Sequence, residues 1–163
     1  MSYLKKINNK IFTIKKLKKE VDNWKKSGEK IVFTNGCFDI IHRGHIELLA
    51  HTADLGDKLI VGLNSDISIQ KIKGKSRPII QQDSRAILLA ALDFIDAIIL
   101  FSEETPINLI KLLEPNILAK GGDYKINTIV GNEIVKKNGG KVILVPFVDG
   151  FSSTDIITKI KRS

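Results

Sequence analysis

The 163 residues contain one cysteine, Cys37, which rules out an intrachain disulfide and a cysteine zinc cluster and suits a reducing cytoplasm. At the end of an apolar run and beside Phe38, it reads as a small buried hydrophobe rather than a catalytic thiol. Long apolar runs are also missing. The longest, such as Ala97-Ile98-Ile99-Leu100-Phe101, span a few residues, and the lysine-rich N-terminus has no signal core. A soluble, cytoplasmic protein with no membrane partner is expected. Proline is scarce at four residues, and no low-complexity segment or long linker appears, so with 43% hydrophobic residues the chain reads as one domain over 1–163.

Acidic residues are outnumbered 18 to 26 by lysine and arginine, and the formal charge of +8 points to an anionic partner. Much of the excess sits near the N-terminus, in the pairs Lys15-Lys16, Lys18-Lys19 and Lys25-Lys26. Between them Ile14, Leu17, Val21 and Trp24 recur at helical spacing, which describes an amphipathic helix docked by one face with its lysines in water. Aromatic interleaving and a recognition motif for nucleic acid are both missing, so no nucleic-acid partner is assigned. Residues 1–28 are thus expected to form an N-terminal helical extension to a core of 29–163.

From Lys30 onward, short β-branched runs at 31–33, 59–63, 97–100, 116–119 and 142–145 alternate with segments of helical length. Helices are expected near 45–55, 84–93, 106–113, 128–138 and 153–162. The pattern predicts an α/β fold: a five-stranded parallel sheet with helices on both faces, preceded by the amphipathic helix. Such sheets bind ligands beyond the carboxyl ends of their strands, where the strand order reverses.

Four strand endings carry glycine together with groups able to hold phosphate. They are Asn35-Gly36-Cys37-Phe38-Asp39 with His42-Arg43-Gly44-His45; Asn64-Ser65-Asp66 leading to Lys73-Gly74-Lys75-Ser76-Arg77-Pro78; Lys120-Gly121-Gly122-Asp123-Tyr124; and Asp149-Gly150-Phe151-Ser152-Ser153-Thr154-Asp155. In the first, a helix starting near Gly44-His45 aims free backbone N–H groups and a positive dipole end at the ligand edge. Gly44 keeps that backbone approachable. His42 and His45 can reach the same phosphate, as neutral donors or as cations. The two could instead bind a metal, but no third ligand sits at a suitable spacing. In the last ending, Ser152, Ser153 and Thr154 open a helix, so one hydroxyl can cap it while a neighbour binds phosphate.

These residues resemble the nucleotidyltransferases with the His-x-Gly-His signature, which have a Rossmann-like fold. The resemblance is closest to the D-glycero-β-D-manno-heptose 1-phosphate adenylyltransferases. It is carried by Phe33 to Asp39, His42 to His45, Leu55-Gly56-Asp57, Val61 to Asp66, Lys73-Gly74, Arg77-Pro78, Leu89 to Leu92, Thr105-Pro106, Lys120 to Tyr124, Ile129-Val130-Gly131 and Ser153 to Ile157. It covers nearly the whole chain after residue 10. Many relatives carry a sugar-kinase domain ahead of this one; the chain has none and is expected to be the stand-alone form.

The resemblance implies transfer of AMP from ATP to the sugar phosphate, giving ADP-heptose and pyrophosphate. Small-molecule substrates, ATP and a sugar 1-phosphate, are therefore the expected partners, together with a possible homodimer. His42, His45 and Lys73 would be catalytic, steadying the transferring phosphate and the departing pyrophosphate. Thr34, Asn35, Gly36, Phe38, Gly44 and Arg85 would bind the nucleotide or the phosphates, with Arg85 as a phosphate contact. Gly121, Gly122 and Asp123 would lie near the nucleoside or the sugar, and Ser152, Ser153 and Thr154 near the β- and γ-phosphates. Lys120 could reach a phosphate, as could Lys75 and Arg77, or these could be solvated. Magnesium is expected on the triphosphate oxygens, with Asp39 or Asp123 at most an indirect partner and no protein ligand assigned. Asp39 is expected to brace its loop.

A cytidylyltransferase acting on glycerol phosphate or a similar polyol phosphate is the nearest alternative. Such enzymes typically place an arginine before the last helix, where this chain has Pro146-Phe147-Val148-Asp149. Phe147 could line an adenine pocket or fill the core. A nucleotide- or nucleic-acid-binding module using the lysine-rich helix is the alternative outside enzymology.

Overall fold

The computed structural model describes residues 2–122, 124–146 and 150–162. Three elements form the N-terminal segment: α1 (Tyr3–Asn9), the short strand β1 (Ile11–Phe12) and α2 (Ile14–Lys26). The sheet then builds through β2 (Ile31–Gly36), α3 (Arg43–Ala53), β3 (Lys58–Asn64), α4 (Asp66–Lys73), α5 (Gln82–Ala90) and β4 (Ala97–Phe101). It continues through α6 (Ile107–Leu113), β5 (Ile117–Gly121), a 3-10 turn (Ile126–Thr128), α7 (Asn132–Lys137), β6 (Lys141–Val145) and α8 (Ser153–Arg162).

The sheet has six strands, not five, in the order β1-β4-β3-β2-β5-β6, and every pairing is parallel. The additional strand lies in the segment expected to be helical: Ile11 pairs with Ile98 and Phe12 with Ile99 at the sheet edge. Two residues are too few to show the alternation by which a strand is recognised in sequence. The chain builds outward from β2 through β3 to β4, then returns to lay β5 against the other side of β2. The strand order therefore reverses between β2 and β5.

Alternation along each strand divides the core in two. Val32, Leu59, Val61, Leu63, Ile98, Ile117 and Ala119 pack on one face with Leu48 and Leu49 of α3 and Leu89 of α5. Ile31, Phe33, Ile60, Ile99 and Leu118 pack on the other with Leu17 and Val21 of α2, Leu109 and Ile110 of α6 and Val135 of α7. Helix α2 docks as its spacing predicts at Leu17 and Val21, both fully buried, and such burial contributes roughly 1.5–3 kcal/mol per side chain. Ile14 stays outside the docked face at 44% exposure, and Trp24 is only half-buried, with the Lys58 ammonium over its ring.

Helix α4 occupies a stretch expected to be loop. Ser65 caps it by accepting the Ser68 amide at 3.2 Å, and only Ile69 of its three isoleucines is buried, so its apolar signal is thin. Among the described residues no helix is long and apolar enough to cross a membrane.

Candidate active site

A cavity of about 480 Å³ opens at the carboxyl ends of β2 and β5, at the strand-order reversal. Its floor is the end of β2 and the loop that follows: Thr34, Asn35, Gly36, Cys37, Phe38 and Asp39. Gly36 is required there because a Cβ would sit 2.8 Å from the Phe38 ring. Phe38 itself adopts a left-handed backbone (φ 45°), strained for a side-chain residue, and is held in it by burial. Its ring meets that of His45 edge-on at 5.3 Å between centroids.

Helix α3 begins one to two residues earlier than expected, so His42 is its N-cap residue and His45 stands in its first turn. The two imidazoles stack at 3.8 Å between centroids. Gly44 lets them do so: a Cβ there would lie 3.2 Å from Nδ1 of His42 and 3.1 Å from Cβ of Phe151. Burial, with smaller contributions from His42 and Lys73, holds the His45 pKa down to about 4, and burial also lowers that of His42. Both rings are therefore neutral at pH 7 in the ligand-free pocket. Their buried Nδ1 atoms meet no hydrogen-bonding partner among the described residues.

The start of α8 joins the same floor. Ser152 accepts the Asp155 amide at 3.0 Å and so caps the helix, while Ser153 lines the cavity and donates its hydroxyl to the Ile40 carbonyl at 3.2 Å. Thr154 is exposed in the first turn. Lys73, the last residue of α4, lines the cavity, as do Lys120 and Gly121 of β5. Gly122 is buried behind them, its amide bonded to the Val145 carbonyl at 3.2 Å. Asp123 and Phe147 lie outside the described residues.

Arg85 requires a correction. Expected as a phosphate contact, it is fully buried and absent from the cavity lining. Its guanidinium donates to the carbonyls of Ile80 (2.9 Å), Cys37 (2.6 Å) and Asn64 (2.9 Å), and to the Asp66 carboxylate (2.7 Å). With its donors spent on the protein, it clasps the loop after β2 to α5 from behind. Asp39 works beside it, accepting the amides of Ile79 (2.8 Å) and Ile80 (2.9 Å) and pairing with Arg77 at 2.6 Å. Arg77 is thus a brace, and Lys75 is solvated. Cys37 is also corrected: it is half-exposed and forms part of the cavity floor.

Sequence reasoning gave no site role to the wall made by Glu104, Thr105 and Pro106, which follow β4, and by Tyr124, Thr128, Ile129 and Val130 around the 3-10 turn, although Thr105-Pro106, Tyr124 and Ile129-Val130 were among the residues carrying the resemblance. The ending after β4 carries no glycine to flag it. Its place at the carboxyl edge of a parallel strand was the available signal.

No group of three or more histidine, cysteine or acidic residues able to hold a metal occurs among the described residues. Asp39, in the loop after β2, is already occupied on both oxygens. Such surroundings suit a metal that enters on a polyphosphate better than one held by the protein.

Residues 33–159 match the family model described as cytidylyltransferase-like. The bifunctional protein HldE of Geobacter sulfurreducens is 52% identical over 139 residues, covering 85% of this chain, and that of Magnetococcus marinus is 48% identical over 143 residues. The chain spans only 28% of the former's length and 29% of the latter's. Among solved structures, a lipopolysaccharide core biosynthesis protein from Thermoplasma volcanium is 31% identical with a TM-score of 0.59, covering 74% of this chain and 98% of its own. A pantoate-beta-alanine ligase from Francisella tularensis, 18% identical with a TM-score of 0.62 over 93% of this chain and 76% of its own, shares the fold.

Proposed function

The chain belongs to the cytidylyltransferase-like family of nucleotidyltransferases, and from that premise we propose that it transfers AMP from ATP to D-glycero-β-D-manno-heptose 1-phosphate. The observation that carries the reading is the convergence on one cavity of His45, Lys73, Lys120 and the capped start of α8. Identity near 50% to the HldE proteins and the likeness to a lipopolysaccharide core biosynthesis protein support a sugar nucleotide as product.

In the proposed reaction an anionic oxygen of the sugar phosphate attacks the α-phosphorus of ATP. The new P–O bond forms as the bond to the β-phosphate breaks, and pyrophosphate leaves with the electron pair. No proton must be removed from the nucleophile, so the protein's part is alignment and charge stabilisation. The imidazoles act as neutral hydrogen-bond donors to the phosphate oxygens, and charge building there raises their affinity for protons. Lys73 supplies a positive charge at the end of α4. Ser153 and the free amides of α8 face the β- and γ-phosphates, while Arg85 and Asp39 hold the floor in shape. Magnesium bound to the triphosphate would supply charge neutralisation, with no protein ligand assigned among the described residues; Thr34 and Asn35 offer further polar contacts at the end of β2.

A pyrophosphate-release assay crossing ATP and CTP with the heptose phosphate and with glycerol phosphate tests this. Turnover with ATP and the heptose phosphate is expected, with ATP preferred over CTP by at least about tenfold, or ~1.4 kcal/mol. Release from CTP with glycerol phosphate, and none from ATP with the heptose phosphate, would overturn the reading.

A further inference from the structure

The two faces of the sheet contribute different chemistry to the cavity. On the α3 face His45 and Phe38 line the cavity, with His42 stacked on His45 and the start of α8 joined to the Ile40 carbonyl. On the α6–α7 face, Asn35 follows the parity of Ile31 and Phe33 in β2, and Lys120 that of Leu118 in β5. Around this second pair lie Thr105, Pro106, Thr128, Ile129 and Tyr124.

Lys120 is the half-buried lysine in the cavity wall that lacks a carboxylate partner among the described residues; Lys10, also without one, is held outside the cavity by the Leu92 and Asp93 carbonyls at 2.9 and 3.3 Å. Lys25 pairs with Glu114 at 3.9 Å, and Lys58 with Glu29 and Asp96 at 3.5 and 3.3 Å. No carboxylate among the described residues pairs with Lys120. Its ammonium instead meets the Asn35 side-chain oxygen at 3.3 Å and backbone oxygen at 3.5 Å, with the Tyr124 ring 5.8 Å away. Neutral oxygens orient a cation without neutralising it, and a charge removed from water without a counter-ion carries a desolvation penalty. Burial accordingly lowers its pKa from the ordinary 10.5, opposed only by the Cys37 thiol.

We propose that Lys120, steered by Asn35, is the counter-charge for the phosphate of the acceptor, which binds on the α6–α7 side of the cavity while the nucleotide occupies the α3–α8 side. This deepens the adenylyltransferase reading and rests on it. The threonines and apolar surface around Lys120 suit a polyhydroxylated ring, and Glu104 at the rim offers a carboxylate to its hydroxyls. An acceptor phosphate on Lys120 also keeps its negative charge on the opposite face from the triphosphate until the two meet at the end of β2.

The test uses the protein saturated with a non-hydrolysable ATP analogue, into which the heptose 1-phosphate or inorganic phosphate is titrated calorimetrically. Lys120→Gln is expected to weaken the sugar phosphate by about tenfold or more while changing the dissociation constant of the analogue by less than about twofold, and Lys120→Arg to stay within about threefold of wild type. Unchanged acceptor affinity in Lys120→Gln, or equal weakening of analogue and acceptor, would overturn the assignment. If the wild-type complex takes inorganic phosphate through Lys120 but refuses the heptose phosphate, the residue's role stands and the sugar reading falls. Binding of neither probe would overturn both.

Discussion

His45 is neutral at pH 7, so in the proposed transfer it would act through a hydrogen bond that strengthens as charge grows on the transferring phosphate. His45→Ala should therefore lower turnover by about a hundredfold or more, ~3 kcal/mol, while ATP binding changes far less. Steady-state kinetics beside an equilibrium ATP titration checks this, and near-normal turnover would remove the residue from catalysis. The same ring gives a stability signature. Unfolded, it protonates near 6.5; folded, near 4. Its contribution is therefore complete above pH 6.5 and is lost as pH falls from 6.5 toward 4, because the unfolded state takes up the proton first. Denaturant titrations of wild type against His45→Asn should diverge across that window, and parallel curves would contradict the burial argument. Arg85 makes the opposite forecast: Arg85→Met strands three carbonyls and a carboxylate, so it should cost about 3–5 kcal/mol of stability. A stable Arg85→Met protein with impaired ATP binding would return Arg85 to the phosphate. The histidines and glycines were legible because a helix start beside a strand end is a local pattern. Arg85 was not, since an arginine at a helix start looks the same in sequence whether it faces a ligand or four protein oxygens.

Helix α2 shows how an element can carry charge without using it. Lys15, Lys16, Lys19 and Lys26 are exposed while Leu17 and Val21 are sealed against the sheet; Lys18 pairs with Asp22 on the helix itself, and the half-buried Lys25 donates to the Leu113 carbonyl at 2.8 Å. Reversing Lys16 and Lys19 to glutamate should leave pyrophosphate release nearly unchanged, whereas Leu17→Ala should destabilise the protein by about 2–5 kcal/mol in a chemical melt. Activity lost on charge reversal at unchanged stability would point to an anionic partner on this helix. Trp24→Ala should cost less than Leu17→Ala, because Trp24 is only partly covered. Helical spacing revealed the docked stripe, but its width depended on the neighbouring strand, so Ile14 was placed on it wrongly. The short strand β1 and helix α4 escaped for a related reason: Ile11–Phe12 gains its identity from pairing with β4, and α4 buries only Ile69 of its isoleucines.

Across the whole molecule, the reversal of strand order that creates the cavity also joins distant parts of the chain. Lys30 and Asp57, which tie β2 to the start of β3, are 27 positions apart; Asn35 and Lys120, hydrogen-bonded neighbours on β2 and β5, are 85 apart. Closing the longer loop costs more chain entropy, so β2, β3 and β4 with their connecting helices should associate before β5 and β6 are laid against β2. Pulse-labelling hydrogen exchange during refolding should protect the amides of β3 before those of β5, and simultaneous protection would argue for a single closing step. In a cell, the β2–α3 part of the cavity, with its imidazoles, would then emerge and fold from the ribosome before Lys120 and the start of α8 exist. During that interval a nascent chain would present the formed start of α3 beside the uncovered edge of β2, a transient state that a chaperone or, on the proposed reading, free nucleotide could occupy.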